Sequence, residues 1–85
     1  MKAIDEAIRL CDGANETQAS SLANKMKQFY PKVTKEKLMA MKWNDFRTIQ
    51  SNFLGFIKNQ NLGRYDLAHS DILDLERCLE RLGLK

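Results

Sequence analysis

Apolar residues recur at spacings of three and four along this chain. One proline and four glycines in 85 residues leave those runs almost unbroken. Side chains three and four positions apart share one face of a helix, so this period is what an amphipathic helix requires. No stretch sustains the apolar–polar alternation of a half-buried strand. The expectation is an all-α fold: one domain, residues 1–85, forming a single compact bundle of four to five short helices.

Local signals divide the chain. The first helix is expected from Lys2 to Cys11, with Met1, Ile4, Ala7, Ile8 and Cys11 on one face and Gly13 as a left-handed stop. A second is expected from Glu16 to Phe29. Asn15 and Gln18 make a capping-box pattern at its start, and Pro31 ends it. Its stripe is Ala19, Leu22, Ala23, Met26, Phe29 and Tyr30. A short third helix should follow the Thr34 N-cap, from Lys35 to Met41, with Val33 and Leu38 at staple positions. A fourth is expected from Asn44 to Lys58, striped by Phe46, Ile49, Phe53, Phe56 and Ile57. A single helix running through both segments is the alternative, but Asn44 favours a break because Asn prefers caps.

Gly55 inside that fourth helix predicts a close crossing with another helix, with a hinge as the alternative. Asn59 to Gly63 reads as a loop, followed by a short turn over Tyr65 to Ala68. The last helix should begin after a Ser70 N-cap, with Asp71 and Asp74 in its first turn and Gly83 as its stop. Ile72, Leu75, Cys78, Leu79 and Leu82 form its apolar face.

The longest uninterrupted apolar run is Phe53 to Ile57, far short of the ~20 residues a membrane span needs. Acids in the opening residues, Asp5 and Glu6, do not suit a secretion signal, so the expected location is the cytoplasm. Cys11 and Cys78 belong to no CxxC pair and, with His69, fall one short of a structural zinc set. They read as reduced, buried thiols, with a bridge between the first and last helices as the alternative. His69 falls in the turn before the expected last helix, with no nucleophile or carboxylate at a telling spacing. No Gly-rich phosphate loop, HExxH or GxSxG occurs. The chain is therefore read as non-enzymatic, without metal or cofactor.

Charge is the informative feature. The net +3 conceals an uneven distribution. Residues 1–24 carry −2, residues 25–47 carry +5 and residues 48–85 carry 0. The seven basic residues of the middle stretch are Lys25, Lys27, Lys32, Lys35, Lys37, Lys42 and Arg47. Clustered bases attract phosphate, and release of condensed counterions drives such binding. A solvated face that keeps a small protein in solution would look the same in sequence, and an acidic protein surface would use the same patch.

Three segments carry a resemblance. Met1 to Gly13, Ser21-Leu22-Ala23-Asn24-Lys25-Met26 and Val33-Thr34-Lys35-Glu36-Lys37-Leu38 are similar to the opening helix, first motif helix and turn of small Cro-like prophage helix-turn-helix regulators. The connection from Tyr30 to Thr34 is longer than the usual turn of about three or four residues and holds no glycine. The resemblance implies a helix-turn-helix variant. Lys35, Glu36, Lys37 and Lys42 would face DNA, and Lys25, Lys27 and Lys32 would meet phosphates.

Some aromatic and Met side chains have two readings each. Trp43 is a helix-edge anchor or a partner hot spot. Phe29 and Tyr30, beside Lys27 and Lys32, finish a helix stripe or stack on unpaired bases. Met39 and Met41 cannot both point inward easily from so short a helix, which puts one on a contact surface. The expected function is a small DNA-binding regulator of phage or mobile-element type acting through residues 25–47. The alternative is a helical interaction module or inhibitor that docks on another protein through Tyr30, Met39 and Trp43. A self-associating homodimer is a third expectation.

Overall fold

The computed structural model describes residues 15–85. The fold is all-α. Its four helices are α1 (Glu16–Met26), α2 (Lys35–Ala40), α3 (Trp43–Asn61) and α4 (Tyr65–Leu82). Among the described residues there is no strand. The helix expected from Lys2 to Cys11, its Gly13 stop and Cys11 itself lie outside the described residues. The described residues gather into two compact units that divide between Arg47 and Thr48, within α3.

In the first unit, α1 starts as its sequence dictates. The Asn15 side chain accepts from the Gln18 N–H at 2.8 Å, and the Asn15 N–H donates back to Gln18 Oε1 at 3.4 Å. These two bonds satisfy orphan donors of the first turn. The helix ends at Met26, three residues short of the expected Phe29. The Met26 carbonyl accepts from both Phe29 N–H (3.0 Å) and Tyr30 N–H (2.8 Å), and the Tyr30 carbonyl accepts from Val33 N–H (3.0 Å). Consecutive turns therefore replace the last helical turn ahead of Pro31, which disfavours helical backbone at the residue before it.

The Thr34 hydroxyl accepts from the Lys37 N–H at 3.3 Å and caps α2 as expected. The break between α2 and α3 falls at Met41 and Lys42, not at Asn44. Met41 is extended, and the Lys42 carbonyl accepts the first α3 bond from Phe46 N–H at 3.0 Å. Asn44 lies in the first turn of α3 instead of capping it. The buried side chains of this unit are Ala19, Leu22, Met26, Val33, Leu38 and Phe46.

In the second unit, α3 runs three residues past the expected Lys58 and takes in Asn59, Gln60 and Asn61. It stops on Gly63, whose φ of 73° is left-handed. Gly63 N–H reaches the Gln60 carbonyl at 3.1 Å and Arg64 N–H the Asn59 carbonyl at 2.8 Å, a Schellman ending. The next residue but one, Tyr65, already belongs to α4, so the expected start after Ser70 is overturned. Arg64 occupies the N-cap without a side-chain bond, and Asp66, not Asp71 or Asp74, is the acid of the first turn. His69 and Ser70 are exposed helical residues. The physical reason is Ala68, which is buried and carries the apolar stripe a turn further back.

α4 closes on Gly83 by the same device, with Gly83 N–H to Glu80 (3.1 Å), Leu84 N–H to Leu79 (2.8 Å) and Leu84 buried. Cys78 is buried and outside any disulfide; Cys11, the other end of the alternative bridge, lies outside the described residues. Gly55 marks the crossing of α3 and α4. A Cβ built there would lie 2.9 Å from Asp71 Oδ2. That carboxylate accepts from Asn59 Nδ2 at 2.8 Å, one turn further along α3. The crossing reading of Gly55 therefore replaces the hinge. The remaining buried side chains are Ile49, Phe53, Leu75, Cys78 and Leu79.

Candidate nucleic-acid interface

All seven basic residues of the +5 stretch belong to the first unit. Lys25 sits in the last turn of α1 and Lys27 is its C-cap residue. Both also complement the negative end of the helix dipole there, a structural role that needs no ligand. Lys32 lies in the turn after Pro31, and Lys35 and Lys37 lie in the first turn of α2. Lys42 joins α2 to α3, and Arg47 is in the second turn of α3. Six of the seven are exposed. Lys35 is the exception, half-buried with its ammonium 3.3 Å from Glu16 Oε1.

That ion pair marks the path of the chain. The start of α2 stands beside the start of α1, and the two helices pack together. α1 has 11 residues, about 16 Å at 1.5 Å per residue. The connection of residues 27–34 therefore runs back along α1 instead of turning tightly. Lys25 stands nine positions from Glu16, half a revolution around α1 at ~100° per residue, so it flanks the opposite edge of the helix from the Lys35 pair. The seven bases do not share one face.

Arg47 is held by a different arrangement. Its guanidinium carbon lies 5.9 Å from the Trp43 ring centroid, and that ring stacks on buried Phe46 at 5.4 Å and 29°. The cation over the indole is steered by the ring quadrupole. Trp43 is half-buried. Tyr30 is half-buried as well, whereas Met39 is 39% exposed beside half-buried Met41.

Sequence periodicity misplaced one residue of this region. Phe29 was expected in the α1 stripe but is 56% exposed, in a turn between Lys27 and Lys32. The early Pro31 signal could have located it, since a proline that ends a helix also frees the residues just before it.

The second unit has a different surface. Leu62, Tyr65 and Leu67 are exposed around the α3–α4 corner, where Gly63, Arg64, Tyr65, Asp66 and Leu67 line an open depression of about 350 Å³. No cluster of His, Cys, Asp and Glu able to hold a metal occurs among the described residues. Nor does any described helix have the length and apolarity to cross a membrane. Compared with protein-family models, with curated proteins and with solved structures, the chain matches none.

Proposed function

We propose that this chain is a small, non-enzymatic nucleic-acid-binding regulator that works through residues 25–47. The observation that carries the reading is the placement of the charge. Seven bases face three acids between Asn15 and Arg47, and six of the bases are exposed. Contacts of this kind are made mainly to phosphate, because lysine is a point charge without the planar fork that reads base edges.

The test is titration of labelled duplex and single-stranded DNA at several salt concentrations. Each phosphate neutralised contributes about −0.7 to −0.9 to the slope of log K against log salt, so three or four contacts give a slope near −3. Lys27→Glu with Lys32→Glu should weaken binding at least tenfold without unfolding the chain. Salt-independent binding, or none to either nucleic acid, overturns the reading.

A second reading is favoured by the exposed Leu62, Tyr65 and Leu67 of the second unit: a module that docks on another protein. A partner captured after nuclease treatment and high salt, and lost on Leu62→Ser with Leu67→Ser, would favour it. Sedimentation at high concentration tests whether that partner is a second copy.

A further inference from the structure

We infer that the α3–α4 corner is a self-association surface whose occupant is a second copy of this chain. The two copies dock about a two-fold axis. Leu62 of each enters the depression of the other, and Arg64 of each pairs with Asp66 of the other. The inference rests on the docking reading above and names its partner. Three observations carry it.

The first is where the exposed apolar surface lies. Tyr65, Leu62 and Leu67 are 68%, 57% and 52% exposed. They are three of the four most exposed large apolar side chains among the described residues, and they fall within six consecutive positions. Single exposed apolar side chains need no explanation, but a cluster does. Together the three present on the order of 300–400 Å², the size of patch that often marks an interaction site.

The second is shape. Residues 63–67 line the open depression of about 350 Å³, with Tyr65 and Leu67 in its wall, and Leu62 stands immediately before it. A projecting leucine beside a hollow can complement itself, because a two-fold rotation sets the leucine of each copy over the hollow of the other. The backbone that carries both is held. Leu62 N–H bonds the Lys58 carbonyl, Gly63 N–H that of Gln60, Arg64 N–H that of Asn59 and Ala68 N–H that of Arg64, at 2.8–3.1 Å. A surface on a fixed backbone loses little freedom on docking.

The third is charge, which decides the occupant. Arg64 and Asp66 are both exposed, one on each side of Tyr65. Side chains two positions apart at the start of a helix do not face each other, so these two charges do not meet within one copy. A strongly acidic or strongly basic partner would be attracted by one and repelled by the other. A second copy offers the same base and the same acid, and a two-fold axis brings each to its opposite. The wider charge agrees. Residues 48–85 carry five bases and five acids, so two copies approach here without net repulsion. Residues 15–47 carry seven bases and three acids, and two copies meeting there would repel. A stable dimer buries ~800 Å² per copy, about twice the apolar patch, so this one is weak and reversible, with a dissociation constant on the order of 100 μM.

The experiment is sedimentation equilibrium of the nuclease-treated full chain up to ~1 mM, ten times that constant. The variants are Leu62→Ser, Arg64→Glu, Asp66→Arg and the double swap Arg64→Glu with Asp66→Arg. Leu73→Ser is the control, a leucine 41% exposed and eight positions, ~12 Å, along α4 from Tyr65. Wild type and the control should dimerise alike, and Leu62→Ser should weaken the dimer about tenfold. Arg64→Glu alone leaves two acids at the corner and Asp66→Arg alone leaves two bases, so each should weaken its own dimer about tenfold by like-charge contact. An equimolar mixture of those two single variants restores both pairs, as does the double swap. Both should return to within about threefold of wild type. Misfolded chains could not produce that rescue.

A chain that stays monomeric to the highest concentration overturns the inference. So does a dimer that ignores Leu62→Ser and both reversals, or that weakens as much with Leu73→Ser, since its interface would lie elsewhere. Loss on both reversals without rescue in the mixture also overturns it, since Arg64 and Asp66 would not meet across a two-fold axis. The docking reading outlives a monomeric chain if a different protein is captured and then lost on Leu62→Ser with Leu67→Ser. A monomer that captures no partner overturns both.

Discussion

Between Asn15 and Arg47 the chain carries seven basic and three acidic residues, whereas between Thr48 and Lys85 it carries five of each. The backbone differs in step with the charge. The first unit joins α1 to α2 through eight residues of consecutive turns, and the second joins two long helices, 19 and 18 residues, through three. In the second unit bases meet acids on or beyond the same helix. Arg77 lies 3.7 Å from Asp74, and Lys85 lies 3.4 and 3.8 Å from Glu76 and Glu80. In the first, Lys35 meets Glu16, and three acids cannot offset seven bases. The difference separates two tasks. One unit closes its own charges and builds a helical hairpin. The other leaves excess charge on irregular backbone, where binding residues are commonly found.

The contrast can be broken most severely at the cores. Phe46→Ala removes a fully buried ring from the first unit and Phe53→Ala one from the second. Each should cost about 3–5 kcal/mol in chemical denaturation. That is a large share of the ~4–13 kcal/mol expected for a chain this size. A cost under ~1 kcal/mol for either would show that the unit concerned has no packed core.

The hairpin offers a sharper test of intermediate size. Gly55→Ala should gain up to ~1 kcal/mol in helix propensity. It must also displace the Asp71 carboxylate that Asn59 holds, a charge-assisted bond worth ~1.5–3 kcal/mol. The expected net effect is a loss of about 1 kcal/mol. With Asp71→Ala already in place the sign should reverse, and Gly55→Ala should then stabilise. A stabilising Gly55→Ala in the unaltered chain would mean that the crossing tolerates a methyl group.

The smallest effect is expected at the Lys35–Glu16 ion pair of the basic unit. Glu16→Gln should change stability by less than ~1 kcal/mol, since Glu16 is well exposed and such pairs are screened. It should nonetheless tighten nucleic-acid binding, because it frees Lys35 and removes an acid. Weaker binding would mean that Lys35 acts only when tethered.

Features with a local cause were legible in the sequence. Asn15 with Gln18, Thr34 and Gly83 each mark a helix end through bonds made within a few residues, and all three stand where expected. Errors arose where a distant partner or a rival local signal decided. The run Asn59-Gln60-Asn61 has poor helix propensity and reads as a loop, yet Asn59 gains a bond to Asp71 and the helix continues. Ser70 reads as a cap, yet burial of Ala68 carries α4 through it. For the candidate site, the charge was countable, but its geometry was not. Periodicity put Phe29 in a stripe, the turns after Met26 leave it 56% exposed, and the packing of α2 on α1 brings Lys35 to Glu16.

The corner at Gly63 is a constraint of chirality and not of volume. Its φ is 73°, and nothing lies within 4 Å of where a Cβ would stand. An L-alanine would fit the space but oppose the backbone, at ~1–2 kcal/mol. Its mirror image fits both. In a chain assembled by chemical synthesis, D-alanine at position 63 should leave the hairpin intact and raise its stability by up to ~1 kcal/mol, because the unfolded chain loses freedom there and the folded one does not.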